Sequence, residues 1–310
     1  MLLPRRNKTV ETAPKPKEEN VFLQTYGALG FDPTGITGKE SYGDCPLCGV
    51  KGKFYVNRDN GLFSCKRCGE DGNLSTFLQL HYKHCKATNK IPKEVMKRIS
   101  THRSLPASVL IDAGFYFDGD RYGFPVRNAK GSIVSFRRFR LTDKIKVLGL
   151  AGVGAHLWGV ERIKTNTRKV FVCEGEWDCL AFRQFLIEQG YGELLESFEW
   201  AVICVPGAGI WKADWYKLVE GKDVVLIYDN DGAGERGRAR VYEALGGGQR
   251  FARHKVQLVN WPTELPPGFD FRDFYKSGGT WELFQEMLSE KIELPSSEGT
   301  VDEEDTPKIR

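Results

Sequence analysis

Val170-Phe171-Val172-Cys173-Glu174-Gly175-Glu176-Trp177-Asp178 runs four apolar residues straight into an acid-glycine-acid turn. A short apolar run closed by glycine reads as a strand buried on both faces, and Gly175 permits a tight turn behind it. Comparable strands follow at Ala201-Val202-Ile203-Cys204-Val205, Val224-Val225-Leu226-Ile227-Tyr228 and Lys255-Val256-Gln257-Leu258-Val259. The segments 177–190, 211–219, 235–245 and 281–290 carry helical periodicity. Strands alternating with helices predict an α/β domain with a mainly parallel, Rossmann-like sheet covered on both faces. Ligands of such sheets lie beyond the carboxyl ends of the strands.

The acids stand at those ends. Glu174, Glu176 and Asp178 follow the first strand, Asp229 and Asp231 the third, and Asp270 and Asp273 come after the fourth. One acid after a strand is ordinarily a helix cap, and Asp178 alone would read that way. Three groups of acids are not expected from capping. Unpaired carboxylates that converge repel one another unless a cation joins them, and hard divalent ions take oxygen ligands. Glu174, Asp178, Asp229, Asp231, Asp270 and Asp273 are therefore candidate ligands for magnesium or manganese.

Upstream, Cys45-Pro-Leu-Cys48 and Cys65-Lys-Arg-Cys68 form two tight pairs. Four thiolates in this spacing suit tetrahedral zinc. Residues 53–58 alternate as a strand, Asn60-Gly61 signals a hairpin turn, and Leu62-Phe63-Ser64 leads into the second pair, which predicts a zinc ribbon. Lys53, Tyr55 and Arg58, with Asn57, Lys66 and Arg67, offer the mixed basic, amide and aromatic surface that grips single-stranded nucleic acid. His81, His84 and Cys85 follow on a predicted helix and read as surface residues. Cys173 and Cys204 lie in apolar runs and read as buried small hydrophobes.

The chain has 310 residues, room for more than one domain. No apolar run reaches the roughly 18 residues of a membrane span, and the Lys-, Pro- and Glu-rich first 20 residues lack a secretory core. The cytoplasm is the expected compartment. Net charge is only +4, yet Arg121 to Lys146 holds eight Lys or Arg against one acid, while Glu298, Asp302, Glu303, Glu304 and Asp305 crowd the end. Such a basic stretch is either a solvated face or a polyanion contact. The expected organisation is a flexible lead at 1–20, a zinc-ribbon domain at 21–84 and a linker at 85–105 between independently folded units. A basic α+β subdomain at 106–168, the α/β domain at 169–294 and an acidic tail at 295–310 follow.

Glu174-Gly175-Glu176-Trp177-Asp178 and Asp229-Asn230-Asp231-Gly232-Ala233-Gly234 resemble the two signature boxes of the Toprim domain of bacterial-type primases, topoisomerases and some nucleases. Asp270-Phe-Arg-Asp273 resembles the third acidic box of the primase branch, with Phe269 where that family often carries Lys. Val205-Pro206-Gly207-Ala208-Gly209 matches the small-residue loop between the first two boxes. Residues 122–127, 131–138 and 144–146 resemble the basic subdomain of primase cores, and His156-Leu157-Trp158-Gly159 the segment returning to Toprim. Four cysteines and the Glu-Gly-Glu box look closest to the primase half of phage primase–helicases.

The resemblance implies a DNA primase that makes short RNA primers on single-stranded DNA from ribonucleoside triphosphates. It implies Glu174, Asp229 and Asp231 as catalytic metal carboxylates, a pair of magnesium or manganese ions and one structural zinc. Arg121, Arg127, Arg137, Arg138, Arg140, Lys144 and Lys146 are then the expected phosphate contacts. No Gly-x-x-x-x-Gly-Lys-Ser/Thr loop is present, so the expected helicase is a separate protein, as is the polymerase, and a phage or mobile element is the expected source. A Toprim nuclease or strand-transfer enzyme, and a non-catalytic DNA clamp, are the competing readings.

Overall fold

The structure, a computed structural model, describes residues 20–142, 146–246 and 255–289. The expected lead up to residue 19, the acidic tail and Lys144 lie outside the described residues.

Asn20 opens α1 (Val21–Ala28), its side chain accepting from the amides of Phe22 and Leu23. Strands β1 (Pro33–Thr37), β2 (Glu40–Gly43), β3 (Phe54–Asn57), β4 (Phe63–Cys65) and β5 (Asp71–Gly72) then form one antiparallel sheet in chain order. The ribbon hairpin is β3–β4, with Phe54 and Val56 inward and Tyr55 and Asn57 outward. Asn57 makes the turn itself, its side chain accepting from the amides of Asp59 and Asn60. Inward, Tyr26, Phe31, Phe54, Phe63 and Phe77 pack ring against ring, with centroids 4.6–6.4 Å apart.

Helix α2 (Leu74–Thr88) closes this layer and α3 (Lys93–Arg103) and α4 (Ala107–Asp112) follow. The stretch 85–105 is thus not a linker: it is mostly helical, and Ile99 and Arg103 on α3 are buried. His81 and Cys85 are not surface residues either. Both are buried, one turn apart on α2, with Cys85 Sγ 3.5 Å from His81 Nε2. Burial holds the imidazole down to about 4, so it stays neutral.

Next comes a three-stranded antiparallel sheet of β6 (Tyr116–Phe117), β7 (Tyr122–Arg127) and β8 (Ile133–Phe139). It serves two cores at once. Tyr116, Ile133 and Phe136 join the ribbon's cluster, whereas Phe115, Phe124 and Phe139 join the cluster that contains Trp177 and Phe182. The ribbon and the α/β domain therefore each share a hydrophobic cluster with this sheet. Arg138, 7% exposed, ties them further by donating to Ala28 O at 2.7 Å and to Asp118 Oδ2 at 3.0 Å.

The remaining domain is the expected α/β sheet. Strands β9 (Lys169–Cys173), β10 (Trp200–Cys204), β11 (Asp223–Ile227) and β12 (Val256–Val259) are parallel, and short antiparallel β13 (Leu288–Ser289) completes the order β10-β9-β11-β12-β13. Between them lie α5 (Glu176–Leu186), α6 (Gly192–Glu196), α7 (Tyr216–Val219) and α8 (Gly232–Ala244), and α9 (Phe271–Lys276) and α10 (Trp281–Glu286) precede β13. Strand order reverses at β9, flanked by β10 and β11, so the crevice for ligands opens beyond the ends of β9 and β11. Trp158 pins the basic sheet to this domain: its indole donates to Pro125 O, and its backbone bridges Cys204.

Arg138→Ala strands the buried Asp118 carboxylate and is expected to lower the unfolding free energy by about 3–5 kcal/mol. Arg140→Ala breaks an exposed pair with Asp120 and is expected to cost no more than about 1 kcal/mol. Urea titration of both variants checks this; equal costs would remove Arg138 from its structural role.

Candidate catalytic carboxylates and zinc site

The four cysteines are brought together by two matching turns. Cys45 N donates to Val50 O and Gly49 N to Cys45 O; likewise Cys65 N donates to Glu70 O and Gly69 N to Cys65 O. Gly49 and Gly69 each take a left-handed backbone (φ 72° and 77°) that other residues resist. The four sulfurs lie within 4.8 Å of one another, and Cys48 and Cys65 Sγ are 3.8 Å apart. A tetrahedron with zinc–sulfur bonds of about 2.3 Å has edges of about 3.8 Å, so the quartet fits zinc. Burial opposes ionisation of Cys65, yet amides of Cys68 and Arg67 hold it down to about 7, ready to bind metal.

The carboxylates occupy the crevice mouth by different routes. Glu174 follows the last residue of β9 and is half-buried, with Oε2 accepting from Asp229 N at 3.2 Å. Asp229 lies just past β11. Asp231 caps α8, accepting from Gly234 N at 2.7 Å, and a side chain on Gly234 would collide with the Asp229 carbonyl. Asp270 caps α9. Capping, set aside on sequence grounds, therefore accounts for one oxygen each of Asp231 and Asp270. Asn230 and Phe269 pair as an isolated bridge, Asn230 N donating to Phe269 O at 2.8 Å, and so join the second and third acidic groups. That is the work of Phe269, whose ring also stands 5.3 Å from Trp261.

Electrostatics show the strain of this convergence. Burial, followed by repulsion from Asp178, Glu174 and Asp270, pushes Asp229 up to about 9. Burial raises Glu174, with Asp231 and Asp270 adding to it against the Asp229 amide. Burial pushes Asp178 up to about 7 although Arg272 opposes it. Among the described residues, the cysteine quartet is the one group of three or more potential ligands whose atoms lie within 4.8 Å of one another. The acids surround the crevice without closing on a common point. All-oxygen donors, partly buried and mutually repelling, fit a hard divalent cation that keeps waters and shares phosphate oxygens.

Other expected residues divide sharply. Asp273 is half-exposed and stands 3.8 Å from Lys276. Arg137 Nε bonds buried Glu176, and its Nη2 donates to Pro206 O at 3.1 Å, which places the guanidinium where β8 meets the loop after β10. Arg127 donates to Gly131 O and lies 5.7 Å from the Tyr82 ring centroid. Arg121 and Arg140 both pair with Asp120. Lys146 is exposed. On the ribbon, Lys53 is exposed, Arg58 donates to Gly38 O, and Tyr55 stands 6.0 Å from Tyr42 with Lys66 Nζ 5.9 Å from its ring. Two residues escaped sequence reasoning. Arg272 bonds both Asp178 and Asp270, and buried Arg103 lies 4.5 Å over the Trp177 ring. The arginine inside Asp270-Phe-Arg-Asp273 was visible; Arg103 carried no local signal. A cavity of about 640 Å³ against α3, lined by Glu94, Lys97, Arg98, His102 and Leu141, contains none of the crevice carboxylates.

A family model described as Toprim-like matches residues 171–265. No curated protein matches the chain by sequence. Among solved structures, a DnaG catalytic core aligns with a TM-score of 0.54 at 18% identity, covering 70% of this chain and 80% of its own. A DNA primase domain from Pseudomonas aeruginosa aligns with a TM-score of 0.54 at 17% identity, covering 70% and 79%. A DnaG primase catalytic domain bound to single-stranded DNA gives 0.53 at 17%, covering 69% and 81%. The chain thus carries a Toprim-like domain within the fold of primase catalytic cores.

The raised Asp229 has a consequence for stability. Below its ordinary value of 3.8 both folded and unfolded chains hold the proton, so its contribution is fully present. From there to about 9 the unfolded chain releases a proton that the folded chain keeps, so stability falls as pH rises. Zinc-loaded, magnesium-free protein is expected to melt lower as pH rises across this window, and Asp229→Asn to show a shallower fall. Magnesium added at the alkaline end should raise the melting temperature of the wild type and not that of Asp229→Asn. Identical slopes in thermal scans would contradict the assignment.

Proposed function

We propose that this chain is a DNA primase: it joins ribonucleotides into short RNA primers on single-stranded DNA by divalent-metal-dependent nucleotidyl transfer. The observation that carries the reading is the set of Glu174, Asp229 and Asp231 at the ends of β9 and β11, joined through one basic sheet to a zinc ribbon. Magnesium or manganese bound there would supply charge for the triphosphate and acidify the attacking 3′-hydroxyl. Glu174, Asp229 and Asp231 would hold it, and Glu174 would also pass protons to and from the reacting groups.

The chain's own side chains do the rest. Arg137, anchored by Glu176 and Pro206 O, faces the nucleotide phosphates. Exposed Lys146, with Lys144, Arg121 and Arg140, draws in the template backbone, and salt weakens this contact. Tyr55 and Tyr42 stack template bases on the outer ribbon face while Lys53, Arg58 and Lys66 meet phosphates. One zinc is structural. A separate helicase and polymerase would unwind the duplex and extend the primer, in a phage or mobile-element replication system.

Labelled ribonucleotides on short single-stranded templates are expected to yield short RNA on denaturing gels. Asp229→Ala is expected to lower synthesis at least about 100-fold with zinc content unchanged. Normal synthesis by that variant, or plasmid nicking in place of synthesis, would overturn the reading.

A further inference from the structure

Five carboxylates face the crevice, and they divide by what already neutralises them. Glu174, Asp229 and Asp231 have no ion pair among the described residues, and the donors to Glu174 and Asp231 are backbone amides. Asp178 and Asp270 are different. Arg272 Nε donates to Asp178 Oδ1 at 3.0 Å and its Nη2 to Asp270 Oδ2. The other oxygen of Asp270 accepts from Asp273 N at 2.9 Å, so both of its oxygens are occupied by the protein itself. Asp178 and Asp270 are 7% and 6% exposed.

We propose that Arg272 is a built-in cation standing where a second metal would bind. Asp178 and Asp270 hold its guanidinium, and one exchangeable divalent ion binds at Glu174, Asp229 and Asp231. The inference rests on the reading that this site works with a divalent cation.

Charge and geometry both support it. Arg103, itself buried and 4.5 Å over the Trp177 ring, adds positive charge near Asp178 and Asp270. Arg272 bonds both Asp178 and Asp270, so that pair is already largely neutralised without metal, whereas Glu174, Asp229 and Asp231 are in no ion pair among the described residues. A divalent ion gains far more from the second set than from the first. A guanidinium cannot be deprotonated in a protein, and its planar fork suits two carboxylates at once. Arg272 is also hard to displace. It stands in the first turn of α9, and neighbouring Phe271 packs at 4.7 Å and 5.3 Å centroid distance against Phe182 and Phe185 of α5, the helix that carries Asp178. Metal at Asp178 and Asp270 would leave Arg272 without its partners in a mostly buried place, a costly exchange.

The test is manganese binding to the zinc-loaded full chain, read from the loss of the free aqueous ion's electron paramagnetic resonance signal. The expected result is one Mn²⁺ that disappears in Asp229→Ala, and one additional Mn²⁺ in Arg272→Ala. Circular dichroism checks that each variant folds. Should Arg272→Ala fail to fold, Asp178→Asn decides: a dissociation constant within about twofold of wild type supports the proposal, and weakening of about tenfold or more overturns it. Two ions lost from the wild type on Asp229→Ala, or no added ion in folded Arg272→Ala, also overturns it. Primer synthesis is measured separately. One ion without synthesis sinks the primase reading alone, and two ions with synthesis sink only the role of Arg272.

Discussion

Like charges held together away from bulk water must be neutralised, and much of this architecture follows from that constraint. Three parallel strands end side by side, and the turns beyond two of them carry Glu174 and Asp229. The sheet forms because its strands bury Val, Ile, Leu and Phe on both faces, and that burial forces the acids into a region of reduced solvation. The raised affinities of Asp229, Glu174 and Asp178 for protons are the direct result. Each acid is then settled differently: amides for Asp231, a guanidinium for Asp178 and Asp270, and Arg137 for Glu176.

The same economy of charge shapes the rest of the chain. The basic stretch is not a free polycation: Arg138 pairs with buried Asp118, and Arg121 and Arg140 with Asp120. Arg137 and Trp158 fasten its sheet to the α/β domain, while Phe136 and Ile133 fasten it to the ribbon. The zinc turns and the acidic crevice are thereby attached to opposite faces of one small sheet. A ribbon hinged on a free linker would not hold that relation; a shared core does.

Local pattern made much of this legible. The four parallel strands, the ribbon hairpin and the cysteine quartet were each written in neighbouring residues, because strand burial, turn chemistry and ligand spacing are short-range. The likeness to primase cores rested on the order of such local boxes. Legibility failed where partners were remote. His81 and Cys85 read as exposed, yet both are buried, and Phe77 and Phe136 pack against the His81 ring. The stretch from 85 to 105 looked like a linker because it is basic, yet a few apolar residues sufficed to bury one face of α3.

The sequence by itself determined which elements form, which cysteines gather into a metal-binding quartet and which acids can meet at the sheet's end. Only the tertiary structure decided which of those acids remain unneutralised. Asp178 and Arg272 are 94 residues apart, and Arg138 and Ala28 are 110 apart. Nothing in local periodicity encodes such pairs. Coulomb energy depends on distance and on the solvent removed between charges, and both are fixed only once the helices and sheets have packed.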